Sequence, residues 1–458
     1  MKKSYDLTQG PILNRLLLVA IPIMGTQFIQ MAYNLTDMFW VSRLGVDAVA
    51  ATGAAGMYMW LSMAFMLLGR MGAEIGVSQS LGAGNREAAK KFSQMAILIN
   101  CAAGILFSCA MVFYSKFFIG FFNIREVNVA ENAARYLSIV GISSAPFFIA
   151  SAITGTFTGS GNSRLPFIIH ATGLGINIIL DPILIFPIGM GIAGAAVATV
   201  ISQTVVCTLF IAAIHFHKAR PFERFTLFTK PDWPRARQIL KWSVPIALES
   251  FLFTMLTMTV TRFITSFGDK ALAVSRIGSQ IESLSWLIGG GFASAVTAFT
   301  GQNFGALKWT RIRQCYRLSA GVMTLWGALV SLLMLALGRQ LFMIFLDDLE
   351  VLVIGAEYMR ILALCQIPMC IEAISSSIFR GIGETSKPSI VSITCNAARV
   401  PLAYFLSITS LGLNGIWIGI TLGSCLRGVW MLAWLLIRKR KLPFIDGQRL
   451  EKDSPQPA

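Results

Sequence analysis

Long apolar runs recur along this chain and constrain its fold more than any other feature of the sequence. A helix needs about 20 mostly apolar residues to cross a bilayer, and twelve such runs can be marked in the 458 residues. They are 14–40, 49–71, 92–115, 134–157, 165–187, 190–214, 239–266, 272–298, 316–341, 357–379, 388–410 and 413–437. The runs are continuous rather than alternating, which excludes a transmembrane β-barrel. The sequence therefore predicts an all-α polytopic membrane protein with twelve transmembrane helices.

The composition supports this class and excludes others. Hydrophobic residues make up 55% of the chain and charged residues only 13%, whereas soluble domains carry about 25% charged residues. An ordinary cytosolic enzyme, a disordered protein and a secreted disulfide scaffold are therefore excluded. The first run is too long for a signal peptide and lacks a cleavage site, so we expect it to be retained as a span. The three histidines cannot form a conventional zinc site by themselves, and we expect no metal site of that kind.

The net charge of +16 reflects membrane orientation rather than nucleic-acid binding. When the loops are assigned alternately from a cytoplasmic N-terminus, 26 Lys and Arg residues fall inside and 7 fall outside. Such a bias indicates orientation by the positive-inside rule. We therefore expect both termini to be cytoplasmic, in a multi-pass protein of the bacterial inner (plasma) membrane that binds no nucleic acid.

The two halves of the chain repeat one another. At an offset of 223 residues, Pro22 falls on Pro245 and Gly45 on Gly268. Each half contains six runs, an even number, so the halves enter the membrane in the same orientation and form parallel repeats. We predict two six-helix bundles with a central cleft, which is typical of an alternating-access transporter. The predicted parts are an N-terminal lobe (1–214), a basic cytoplasmic linker (215–237), a C-terminal lobe (238–437) and a cytoplasmic tail (438–458).

Acidic residues inside the apolar runs are costly and therefore mark candidate functional sites. In the first run, Thr26, Gln30, Tyr33, Asn34 and Asp37 recur at steps of three and four and share one helix face. In the fifth run, Asn177 and Asp181 are four residues apart. Two carboxylates with amide support can bind one proton or one Na⁺ in a low-dielectric place. A helix–helix hydrogen-bond clamp is the structural alternative for the same residues.

Further candidates lie near the first run's proline and in the second half. Pro22 removes a backbone hydrogen bond and permits a bend, so we predict a hinge there. Gln30, Tyr33 and Asn34 are candidate substrate or coupling residues. The second-half candidates for the same role are Glu249, Glu282 and Glu372. For Glu249, pairing with Arg262 or Arg276 is the alternative.

The combined motifs resemble the multidrug and toxic compound extrusion (MATE) family over nearly the whole chain, with features of its bacterial DNA-damage-inducible branch. They include Ile21-Pro22 with Asp37, the run Asn177-Ile-Ile-Leu-Asp181-Pro182, the stretch 191–199, and Phe379-Arg-Gly-Ile-Gly-Glu-Thr385. Glu384 stands where many members carry Asp. The resemblance implies an N-lobe cation site at the matching positions Asp37, Asn177, Asp181 and Thr199.

The resemblance also implies the activity. It indicates efflux of amphipathic organic cations by H⁺ or Na⁺ antiport, with alternating access of two lobes. No cofactor is expected apart from the coupling ion. We expect small-molecule drugs and membrane lipids as partners, and a monomer. A flippase or exporter of lipid-linked precursors stays open, because Arg262, Arg276, Arg399 and Arg427 could bind a diphosphate. A membrane-embedded enzyme is disfavoured, since no nucleophile–base pair with a plausible spacing is present.

Overall fold

The computed structural model describes residues 6–124, 126–217, 220–223, 225–227, 229–345 and 348–437, and within them every regular element is a helix. The predicted tail, 438–458, lies outside these residues, as does part of the predicted linker. The fifteen helices are α1 (Ile12–Ser42), α2 (Val46–Gly82), α3 (Arg86–Phe113), α4 (Ser115–Gly120), α5 (Val127–Gly141), α6 (Ser144–Gly159), α7 (Arg164–Ile185), α8 (Ile192–Phe216), α9 (Trp233–Thr265), α10 (Asp269–Gly305), α11 (Trp309–Met343), α12 (Leu349–Ala363), α13 (Gln366–Gly381), α14 (Ser386–Ser407) and α15 (Gly412–Ile437).

The helices account for the twelve predicted spans. Ten of the described helices are long and apolar enough to cross a membrane singly. The remaining two predicted spans correspond to the helix pairs α5–α6 and α12–α13, each bent by 44° at a short break, and the number of spans is twelve when each pair is taken as one span. Pro146 and Pro368 lie in the first turn of the second helix of each pair, where the missing N–H is tolerated but the preceding helix cannot continue. The predicted all-α membrane-spanning fold is confirmed, with two spans broken rather than straight.

The internal repeat extends to the bounds of the helices. A shift of 223 residues carries α2 onto α10, and a shift of 222 carries α5, α6 and α7 onto α12, α13 and α14. Among the described residues, the halves differ after α3, because α3 ends before Tyr114 and α4 follows, whereas α11 runs continuously over the equivalent residues.

The described chain forms two compact units. The first contains Leu18–Ala247 with the segment that ends at Leu7, and the second contains Thr8–Leu17 with the chain from Leu248 onward. Relative to the predicted lobe bounds, the start of α1 is therefore grouped with the second unit and the start of α9 with the first. Pro22 and Pro245 lie inside these two helices, within a few residues of the change of unit. The predicted lobe and linker bounds stay a prediction.

Close helix packing inside each unit depends on glycine. A Cβ added at Gly155 of α6 would lie 2.3 Å from the carbonyl oxygen of Arg70 on α2, and one at Gly159 would lie 2.7 Å from that of Glu74. In the second unit, a Cβ at Gly415 would lie 2.3 Å from the carbonyl oxygen of Leu406. These are small-residue contacts of the kind that hold membrane helices together.

Candidate functional site

The fifth span of the first unit carries a buried amide–carboxyl pair. Asn177 and Asp181 lie one turn apart on α7, and both side chains are fully buried. Asn177 Nδ2 donates a hydrogen bond of 3.1 Å to Asp181 Oδ1. Pro182 follows inside the helix and cannot donate to the carbonyl of Ile178. The missing hydrogen bond therefore weakens the helix backbone beside the buried Asp181 carboxyl group.

Side chains from α1 and α8 complete this group. Asp37 and Tyr33 lie one turn apart on α1, and Thr199 lies on α8. The Asp37 carboxyl lies within hydrogen-bonding reach of Asp181, Asn177 and Thr199. All four residues predicted for the cation site therefore lie together in the first unit, and Tyr33, predicted for substrate or coupling, lies with them.

The group contains five buried oxygen atoms that form no hydrogen bond of regular geometry with a described residue, although their side chains lie within reach of one another. They are Tyr33 Oη, Asp37 Oδ1, Asn177 Oδ1, Asp181 Oδ2 and Ser202 Oγ. Buried polar atoms are almost always partnered, so five unpartnered oxygens in one place are informative. None of the groups that interact with Asp37 is basic. An oxygen-lined, acidic group of this kind can hold a proton shared between two carboxyls, or a hard cation such as Na⁺.

Two members of the group, Ser202 and Tyr136, were not predicted from the sequence. Ser202 lies three residues after Thr199, on the same face of α8, and this spacing could have revealed it. Tyr136 of α5 lies within electrostatic range of Asp37, Asp181 and Tyr33. The 222-residue repeat places Tyr136 on Tyr358, a shared tyrosine that the repeat comparison could have used.

The other α1 candidates take different positions. Asn34 is exposed and is not part of the buried group. Gln30 is half-buried and lines a narrow cavity with Thr26, Arg70 and His170. At the predicted hinge, the Thr26 hydroxyl donates a 3.0 Å hydrogen bond to the carbonyl of Pro22. Gln30, Tyr33 and Asn34 therefore lie in three different environments, and their substrate or coupling role stays a prediction.

In the second unit, Glu249 of α9 is held by partners from two other helices. Its Oε2 lies 3.3 Å from Nη2 of Arg380 on α13, and it accepts a hydrogen bond of 2.9 Å from the Ser389 hydroxyl on α14. The alternative pairing with Arg262 or Arg276 is wrong, because the partner is Arg380 near the end of α13; a substrate or coupling role for Glu249 stays a prediction.

Glu282 and Glu372 belong to a separate buried polar network in the second unit. Glu282 accepts hydrogen bonds of 3.2 Å from Tyr358 and from Gln366. Glu372 forms a buried ion pair of 3.2 Å with Arg427 and accepts a 2.6 Å hydrogen bond from Ser376. The three predicted acids of the second half therefore do not form one site.

The repeat does not duplicate the acidic group in the second unit. The positions equivalent to Asp37 and Asp181 are Val260 and Ala403, and the position equivalent to Asn177 is Arg399. Arg399 is buried, donates a 2.7 Å hydrogen bond to Ser424, and lies within electrostatic range of Glu282. The Arg399 guanidinium thus occupies the position where the first unit has the side-chain amide of Asn177.

Comparisons with known proteins identify the family of the chain. The MatE family model matches residues 22–183 and 245–405. The chain is 27% identical to the probable multidrug resistance protein NorM of Thermotoga maritima, over 93% of both chains. It is 26% identical to the probable multidrug resistance protein YoeA of Bacillus subtilis, over 88% of this chain and 89% of that one.

Solved structures share the fold. A crystal structure of MATE in the bent conformation matches with a TM-score of 0.90 and 24% identity, over 99% of this chain and 100% of that chain. The outward-facing conformation of a multidrug resistance MATE family transporter of the MOP superfamily matches with a TM-score of 0.85 and 22% identity, over 96% and 98%. Because the family model matches more than half of the sequence, the chain belongs to the MatE family of multidrug and toxic compound extrusion proteins and is a membrane transporter rather than an enzyme.

Proposed function

We propose that the chain exports amphipathic organic cations by antiport with H⁺ or Na⁺, and that the ion binds at Asp37, Asn177, Asp181 and Thr199. The observation that carries this proposal is the set of five unpartnered buried oxygens, two of them from carboxyl groups, among membrane-spanning helices. Relatives named as multidrug resistance proteins support export of drugs.

The coupling step follows from charge neutralisation. Without an ion, two carboxyls within reach of one another repel if both are ionised. A bound proton or Na⁺ removes that repulsion and draws Asp37 and Tyr33 of α1 towards Asp181 of α7. Because Pro22 leaves the Leu18 carbonyl without its helical donor, α1 bends there, and the bend releases the drug on the outer side. A membrane potential contributes about 2.3 kcal/mol per charge per 100 mV to inward ion movement.

The location and assembly follow from the same proposal. The transporter works as a monomer in the bacterial plasma membrane, in contact with its lipids and with both termini in the cytoplasm. This orientation rests on the distribution of Lys and Arg along the chain. The alternation of access between two lobes rests on the internal repeat.

Two buried arginines already lie near carboxyl groups, and this favours export of organic cations over export of lipid-linked diphosphates. Arg427 is paired with Glu372, and Arg399 lies near Glu282. Two of the four arginines that could have bound a diphosphate therefore already face carboxyl groups within the second unit.

The test is efflux of a fluorescent cation such as ethidium. Inverted membrane vesicles containing the chain are given a pH gradient, a Na⁺ gradient or both, and ethidium uptake is followed. We expect uptake with one of the two gradients, and its loss in Asp37→Asn and Asp181→Asn at unchanged protein amount. Glu131→Gln, at an exposed carboxyl of α5, is the matched control and keeps full uptake. Full uptake by the Asp37→Asn protein would overturn the site, and gradient-independent uptake would overturn antiport.

A further inference from the structure

A surface cavity lies at one end of the first unit. It has a volume of about 310 Å³ and is lined by the α1–α2 turn with the start of α2, the middle of α5 and the α7–α8 connection. Its mouth carries exposed polar residues, Asp47, Asn132 and Arg135. A cavity of this size and polarity has room for several water molecules.

The floor of the cavity adjoins the acidic group. Tyr136 lines the cavity, yet its side chain is only 8% exposed. The same residue lies within electrostatic range of Asp37, Asp181 and Tyr33. Tyr136 therefore borders the cavity and also lies within electrostatic range of the buried carboxyls.

The helix bounds place the cavity and the carboxyls at the same end of the unit. Asp37 lies five residues before the end of α1, Asp181 four residues before the end of α7, and Thr199 seven residues after the start of α8. At 1.5 Å per residue these positions are about 6–11 Å from the helix ends that border the cavity. From the distribution of basic residues, this is the predicted outer end.

We propose that this cavity, which we call the outer vestibule (Asp47, Asn132, Arg135, Tyr136 and Met190), is the path by which the coupling cation enters the first unit from outside, with Tyr136 as its inner gate. The inference rests on the proposed antiport. It adds an access route, a gate and two opposite charges, Asp47 and Arg135, that set the local cation concentration. Asp47 attracts cations to the mouth, and Arg135 repels them.

Removal of the Asp47 charge and removal of the Arg135 charge should change the half-saturating ion concentration in opposite directions. Asp47→Asn should raise the half-saturating external concentration of the coupling ion about twofold, and Arg135→Gln should lower it about twofold, as expected for one unit charge roughly 10 Å away in water. Both effects should shrink at high ionic strength with a non-coupling salt, because mobile ions screen exposed charges. The maximal rate of efflux should not change.

Access is tested by blocking the vestibule in right-side-out vesicles loaded with ethidium. Asn132→Cys is treated from outside with membrane-impermeant thiosulfonates of similar size and opposite charge, and ion-driven efflux is measured. The cationic adduct should raise the half-saturating ion concentration more than the anionic adduct does. Lys116→Cys, on the exposed face of α4, is the control for labelling elsewhere on the predicted outer surface, and the original sequence controls for the eight native cysteines.

The outcomes separate this inference from the proposed function. An Asn132→Cys protein that is labelled from outside but keeps its ion dependence overturns the vestibule, while antiport by the unlabelled protein still stands. Labelling only from the inner side also overturns it. If the unmodified protein shows no gradient-driven efflux, the proposed antiport fails instead. A Tyr136→Phe variant, which keeps the ring, should retain the gate, whereas Tyr136→Ala should speed ion entry and uncouple it from efflux.

Discussion

Asn177 Nδ2 donates a 3.1 Å hydrogen bond to Oδ1 of Asp181, while Oδ2 of the same carboxyl forms no hydrogen bond of regular geometry with a described residue. The amide thus orients the acid so that one oxygen is held and the other is available. Because both side chains are fully buried, this bond is not exchanged for water and can determine where a bound cation lies.

Removal of that bond should weaken ion binding more than it weakens the fold. We expect Asn177→Ala to raise the half-saturating ion concentration about tenfold or more, since a hydrogen bond to a charged group contributes about 1.5–3 kcal/mol. The measurement is ethidium efflux against a series of ion concentrations. Asn414→Ala removes an exposed amide–carboxylate bond, 2.8 Å from Nδ2 to Glu357 Oε2, and should change nothing. An unaltered ion dependence in Asn177→Ala would exclude the amide from the site.

The buried ion pair of the second unit should be mainly structural. Glu372→Gln leaves Arg427 charged without its buried carboxylate partner, and loss of one member of such a pair costs about 3–5 kcal/mol. We expect a clear fall in the midpoint of thermal unfolding in detergent. A double replacement, Glu372→Met with Arg427→Leu, should recover part of the loss. Glu350→Gln at the exposed Lys270 pair should leave the midpoint nearly unchanged. Equal midpoints for all variants would assign Glu372 a role outside stability.

A stiffer first span should slow transport without harming the fold. Pro22→Ala restores a backbone donor to the Leu18 carbonyl, and a proline inside a helix costs about 3 kcal/mol relative to alanine. We therefore expect slower efflux with equal or higher thermal stability. Pro245→Ala makes the same change at the repeated position of α9 and shows whether both proline sites act as hinges. Unchanged efflux in Pro22→Ala would remove the hinge from the cycle.

The glycine contact between α2 and α6 should tolerate no side chain. Gly155→Ala would place a methyl group 2.3 Å from the Arg70 carbonyl oxygen, so the helices must separate, and the midpoint of unfolding should fall. Gly175→Ala on α7 meets no atom within 4 Å and should be neutral or stabilising by up to about 1 kcal/mol, the usual difference between alanine and glycine in a helix. A Gly155→Ala protein as stable as the original would show that this contact can relax.

Much of the architecture is determined by the sequence alone. The length of the apolar runs requires membrane-spanning helices because the bilayer supplies no partner for backbone N–H and C=O groups. The repeated prolines and glycines predicted two similar halves, and Pro146 and Pro368 explain in retrospect why two spans are broken. The scarcity of charge made Asp37 and Asp181 conspicuous, since an acid in a span needs a reason.

The partners of those acids were decided only by the tertiary structure. Helix periodicity tells which residues share a face but not which helix that face meets, so Tyr136 and Ser202 were missed and Arg380 was not foreseen as the partner of Glu249. The repeat predicted equivalent backbones, yet the sequence places Arg399 at the position equivalent to Asn177, and only the packing showed that Arg399 lies near Glu282. Sequence spacing therefore determined the spans and the rare acids, whereas the approach of separate helices decided which acids are neutralised by arginine and which are left with unpartnered oxygens.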